Sequence, residues 1–122
     1  MKAIRPVHLH DTGPKVSNLH KGLLFLLLNQ TGVSDNDRET IQKRLAPEIR
    51  KQTFGQATAE LVGIFQKLLK GRTDLPKQLK ARVQDLPISP GTDRGNGDVD
   101  EVTADGLNWV LKKSGALSRN ER

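Results

Sequence analysis

Few side chains in this sequence are of the types that do chemistry, and their spacing limits what they can do. His8, His10 and Asp11 form a His-x-His-Asp run near the N-terminus. Two imidazoles and a carboxylate are donors for zinc or nickel, but a closed site needs a fourth ligand and an ordered segment. The expectation is no metal site. Two carboxylate pairs, Asp35 with Asp37 and Asp98 with Asp100, sit where helices should begin. There an acidic side chain accepts hydrogen bonds from unpaired backbone N–H groups, so capping accounts for both pairs. The sequence has no His-Glu-x-x-His, no nucleophile elbow and no Gly-x-x-x-x-Gly-Lys. It has no cysteine, which excludes disulfides, thiolate metal sites and a cysteine nucleophile. The reading is a non-enzyme without a cofactor.

Residues suited to binding are easier to find. Lys67, Lys70, Arg72, Lys77, Lys80 and Arg82 form a basic run with Asp74 as its only acid. Such a run is either a solvated face or an anion-binding patch, in which Arg can fork a carboxylate at two points. Trp109 is the only tryptophan and falls off the apolar stripe of its helix. It is placed either to stack on a sugar ring or partner, or to pack beneath an accessory helix. His20 lies beside a core stripe and reads as a hydrogen-bonded structural histidine. The expected contact set is Gln66, Arg72, Asn108 and Trp109.

The elements that must position these residues are helical. Val16, Leu19, Leu23 and Leu26 line one face, and Leu24, Phe25, Leu27 and Leu28 extend apolar surface around most of the circumference. A helix apolar on all sides is expected at the centre of the fold. Gly32 is its expected stop. Ser34 is placed to cap a second helix, with Asp37 three residues on and Ile41, Leu45 and Ile49 on its buried side. Pro47 is expected to kink or restart that segment. A third helix runs through Phe54–Gln66 and ends at Gly71, burying Leu61, Val62, Phe65, Leu68 and Leu69. Leu75, Leu79, Val83 and Leu86 suggest a short helix. Residues 87–98, rich in Pro, Gly, Asn and Asp, read as a long flexible loop. Asp100 or Thr103 caps the last helix, whose apolar face is Leu107, Val110 and Leu111. No alternating strand pattern runs longer than three or four residues. The expected fold is all-α, with three core helices and one or two accessory ones.

Bulk properties bound the answer. The chain has 122 residues and reads as one domain, 1–122, with 1–14 free to be disordered. Its net charge of +6 favours anionic surfaces without choosing among them. Aromatics are 3% of residues, which argues against the stacking platforms of a nucleic-acid reader. The N-terminal ten residues lack the apolar stretch of a secretory signal, and Leu23–Leu28 is too short to span a bilayer. The Ser118–Arg122 tail reads as the edge of a larger protein.

Three segments together resemble a known small family. They are "VSNLHKGLLFL" from Val16, "FGQATAELVGIFQ" from Phe54 and "GDVDEVTADGLNWVL" from Gly97. The chain resembles the peptidoglycan-binding-like domain, a three-helix module often attached to bacterial cell-wall hydrolases. The middle segment is the specific match: Phe54, Gly55, Thr58, Val62, Phe65 and Gln66 fall at the family's spacing, with Leu61 where Ala is usual. His20 stands where Gln is usual, and Ala104 where a Trp often follows the third-helix Thr. In this frame 34–52 is a helical insertion. The resemblance implies a three-helix bundle and a non-catalytic module that binds peptidoglycan or muropeptide. It would be secreted or wall-associated as part of a larger protein, with other domains of that protein as further partners. The alternative is a protein–protein or scaffold module of a secreted or toxin-like bacterial protein. Membrane insertion and nucleic-acid binding are not expected.

Overall fold

The computed structural model describes residues 2–29, 34–87 and 95–117. They form five helices: α1 (Pro14–Asn29), α2 (Asp35–Lys51), α3 (Gln56–Gly71), α4 (Lys77–Gln84) and α5 (Glu101–Lys113). The extended pairing among the described residues includes two isolated antiparallel bridges, Val7 with Val99 and Thr12 with Thr53. None of the described helices is long and apolar enough to cross a membrane. The Gly32 stop, most of the 87–98 loop and the 118–122 tail fall outside the described residues.

Capping side chains set the helix starts. Ser34 Oγ accepts from the Asp37 N–H at 3.1 Å, and Asp100 Oδ1 accepts from the Thr103 N–H at 2.7 Å. Both satisfy donors that the helix itself leaves unpaired. Pro14 opens α1, where a missing N–H costs nothing.

Two helix expectations need correction. α2 runs unbroken through Pro47 to Lys51. Pro47 removes one intrahelical hydrogen bond, but it lies on an exposed side near the helix end. That end is closed by Gln52 in the left-handed conformation, its N–H directed to the Glu48 and Ile49 carbonyls. The central helix is α3 rather than α1. It packs against each of the other four, and it buries Leu61, Val62, Phe65 and Leu69. α1 buries Val16, Leu19, Leu23, Leu26 and Leu27, while Leu28 is 54% exposed. Apolar composition marked how much surface α1 has to bury, not which helix gains the most neighbours.

The N-terminal segment packs against the helices. Ile4 and Val7 are buried in the core, and Val7 exchanges backbone hydrogen bonds with Val99 at 3.1 and 3.2 Å. Further along, the His10 N–H reaches the Phe54 carbonyl and the Phe54 N–H reaches that of Asp11. These bonds carry the segment across α3's entrance to α5.

Candidate binding surface

The Phe54–Gln66 stretch organises the interior. Phe54 is fully buried. Gly55 caps α3 but offers no side chain to do so. Glu48 of α2 takes over: its carboxylate accepts from the Gly55, Ala57 and Thr58 N–H groups, each at 2.9 Å, and from the Thr58 hydroxyl at 2.6 Å. A negative charge at a helix N-terminus is favoured by the aligned backbone dipoles. Burial opposes the charge, yet the hydrogen bonds from Thr58, Ala57 and Gly55 outweigh it and hold the Glu48 carboxyl below its ordinary value. A Cβ on residue 55 would sit 2.7 Å from the Glu48 carboxyl carbon, so glycine makes room for this contact.

Thr58 gives its proton to Glu48, so its oxygen accepts from His20 Nε2 at 2.8 Å. This assigns the Nε2–H tautomer to His20. The ring is buried, its Nδ1 has no partner among the described residues, and burial lowers its pKa against the pull of Glu48. His20 therefore stays a neutral structural group.

Gln66 is turned into the interior. It is fully buried. Its two amide hydrogens are shared among Asp98 O at 2.8 Å, Thr103 Oγ1 at 3.0 Å and Asn96 Oδ1 at 3.2 Å. Its Oε1 accepts from the Gly97 N–H at 2.9 Å. The expected contact residue is thus a strut that fixes the 95–98 turn onto α3. Gly95 also donates to the Gly63 carbonyl at 2.9 Å, so this end of the expected flexible loop is docked. Gly97 has φ +81°, and a Cβ there would meet the Ala59 carbonyl oxygen at 2.5 Å.

Asn108 is also turned inward. Its side chain bonds the Ile4 N–H at 2.7 Å and the Ile4 carbonyl at 2.9 Å, the same exchange a neighbouring strand would make. It fastens the N-terminal segment to α5 and retains only part of its surface for a ligand.

Arg72 and Trp109 do come together at the surface. Trp109 is half-buried, with the Arg72 guanidinium 5.8 Å and the Lys113 ammonium 5.0 Å from its ring centre. Both are within cation–π range. Asp74 ties the two cations together. Arg72 forks it at 2.9 and 2.8 Å, and Lys113 reaches it at 2.6 Å. These partners hold the Asp74 carboxyl well below the usual carboxylate range. Trp109 and Asn108 also line an open cleft of about 300 Å³ with Ala3, Leu79, Asp105 and Lys112. Lys113 was not in the expected contact set. Asp74, two residues after Arg72 within a basic run, was the visible signal.

The basic run itself is partly consumed. Lys70 Nζ bonds the Gln84 and Leu86 carbonyls at 2.9 and 2.5 Å, closing the end of α4. Arg82 pairs with Asp105 at 3.0 Å. Lys67 and Lys77 are exposed. Near the N-terminus, His8 Nδ1 meets Asp98 Oδ1 at 2.6 Å, and that hydrogen bond raises its pKa. No group of three or more His, Cys, Asp or Glu among the described residues is placed to hold a metal ion. Comparison with known proteins returned no matching family model, curated protein or solved structure.

Proposed function

We propose that this chain is a non-catalytic binding module for bacterial cell-wall peptidoglycan, acting within a larger secreted or wall-associated protein. In this reading α1, α3 and α5 form the three-helix bundle of the peptidoglycan-binding-like type, and α2 and α4 are accessory. The observation that carries the proposal is the half-buried Trp109 at the rim of an open cleft, with the Arg72 and Lys113 cations against its ring. An indole beside fixed cations suits a ligand with both sugar faces and carboxylates, as glycan strands with stem peptides have. The family-like residues support the same reading by their roles: Phe54 packs, Gly55 leaves room for the Glu48 cap and Gln66 holds the turn before α5.

Binding through one shallow surface should be weak, roughly micromolar to millimolar. Co-sedimentation with purified sacculi tests it. The wild type should pellet with sacculi, and Trp109→Ala should lose most of the pelleted fraction while keeping its helical circular dichroism. Wild-type protein remaining in the supernatant would count against the proposal. A scaffold module is the second reading. It is favoured by α2, whose only fully buried residue is Leu45, so that most of its surface is open to a protein partner. That reading expects no wall binding from the isolated domain.

A further inference from the structure

Three N–H donors converge on one carboxylate at the foot of Trp109. Arg72 Nε donates to Asp74 Oδ1, and Arg72 Nη2 and Lys113 Nζ both donate to Asp74 Oδ2. The donors come from opposite sides: Arg72 follows the last residue of α3, and Lys113 is the last residue of α5. A forked guanidinium, an ammonium and an aromatic wall together make a carboxylate receptor, since the fork matches both oxygens and the ring faces the cations. The side chains of Arg72, Asp74 and Lys113 keep 25%, 34% and 52% of their surface, so solvent reaches the cluster.

We propose that Arg72, Lys113 and Trp109 form a receptor for a ligand carboxylate, and that Asp74 is its resident occupant. The inference rests on the Trp109 face being the binding surface, and it names the group recognised there. Asp74 lies on the short connection between α3 and α4, outside both helices, so the carboxylate can leave without unwinding either one. Surface ion pairs of this kind are individually weak and exchange with solvent. A carboxylate tethered two residues from its guanidinium competes at an effective concentration of millimolar order or above. Asp74 therefore sets a threshold: a single weak carboxylate is excluded, while a ligand that also contacts the neighbouring cleft displaces it.

The chain has one tryptophan and no tyrosine, so its intrinsic fluorescence reads this site alone. Asp74→Asn keeps the shape but removes the charge that neutralises both cations. Titration with N-acetylalanine, a peptide carboxylate, and with N-acetylmuramic acid, a saccharide carboxylate, distinguishes the two ligand sources. N-acetylalaninamide is the uncharged control. The expected result is a saturable Trp109 response in D74N to at least one acid, about tenfold tighter than in the wild type. The amide should give no response, and adding Arg72→Gln should abolish the effect. Asp74→Ser serves as a second opening variant, with circular dichroism reporting that each is folded. Folded D74N and D74S that bind both acids no better than the wild type would overturn the inference, as would a response that survives R72Q. Sacculus binding by the wild type alongside that failure would leave the wall-binding reading standing. A carboxylate response without sacculus binding would support the receptor and count against peptidoglycan as its ligand.

Discussion

Gln66→Leu separates a ligand contact from a structural strut. Leucine fills a similar volume, so little cavity is created and the lost hydrogen bonds dominate. The substitution strands the buried Gly97 N–H and the fully buried Thr103 hydroxyl, and it removes donors from Asp98 O and Asn96 Oδ1. A buried polar group left unsatisfied costs about 1–3 kcal/mol, so the two buried ones give a loss of roughly 3 kcal/mol. For a domain of this size about 4 °C accompanies each kcal/mol, so Tm should fall by roughly 12 °C. Thermal unfolding followed by far-ultraviolet circular dichroism, with urea denaturation for the free energy, measures this. Amide exchange at Gly97 should accelerate as well, because its acceptor is gone. A Tm within about 3 °C of the wild type, with wall binding lost, would refute the strut and restore Gln66 as a contact residue.

Other consequences are equally direct. Glu48→Ala removes the carboxylate that caps α3 and should cost about 1–2 kcal/mol, read by urea denaturation. Because the Glu48 pKa is held down in the folded state, its contribution is present above the ordinary carboxylate range and is lost as pH falls through the lowered value. Glu48→Ala should therefore flatten the acid limb of the stability profile. His20 has a lowered pKa through burial, so the unfolded chain binds its proton more readily. Stability should decline as pH drops below about 6.5 and level off only below the lowered value, a dependence that His20→Gln removes. Gly97→Ala places a Cβ against the Ala59 carbonyl at a left-handed φ. It should destabilise by about 1–3 kcal/mol without changing Trp109 fluorescence.

The sequence already displayed the helices, because apolar spacing and capping residues act locally. Ser34, Asp100 and the face of Leu61, Phe65 and Leu68, widened by Val62 and Leu69, are legible from neighbours within a few residues, although Leu68 is only partly buried. Long-range partners were not. Gln66 is a polar residue directly after Phe65, and nothing local shows that residues 96–98 and Thr103 return to satisfy its amide. Asn108 likewise looked free, because its partner Ile4 lies 104 residues away. Glu48 drew no notice for the same reason: its acceptor role exists only once α2 meets the start of α3. Arg72 and Trp109 were picked out by residue type. Their meeting depends on the ends of α3 and α5 coming together, and only Asp74 beside Arg72 hinted at it.

The most direct test of the central claim is an amide-shift titration of the isotope-labelled domain with soluble muropeptide fragments. The account predicts saturable shifts of the Trp109 indole and of Arg72, Lys112 and Lys113, with the Gln66 side-chain amide unmoved. Unchanged spectra at millimolar ligand, or shifts confined to α2, would contradict it.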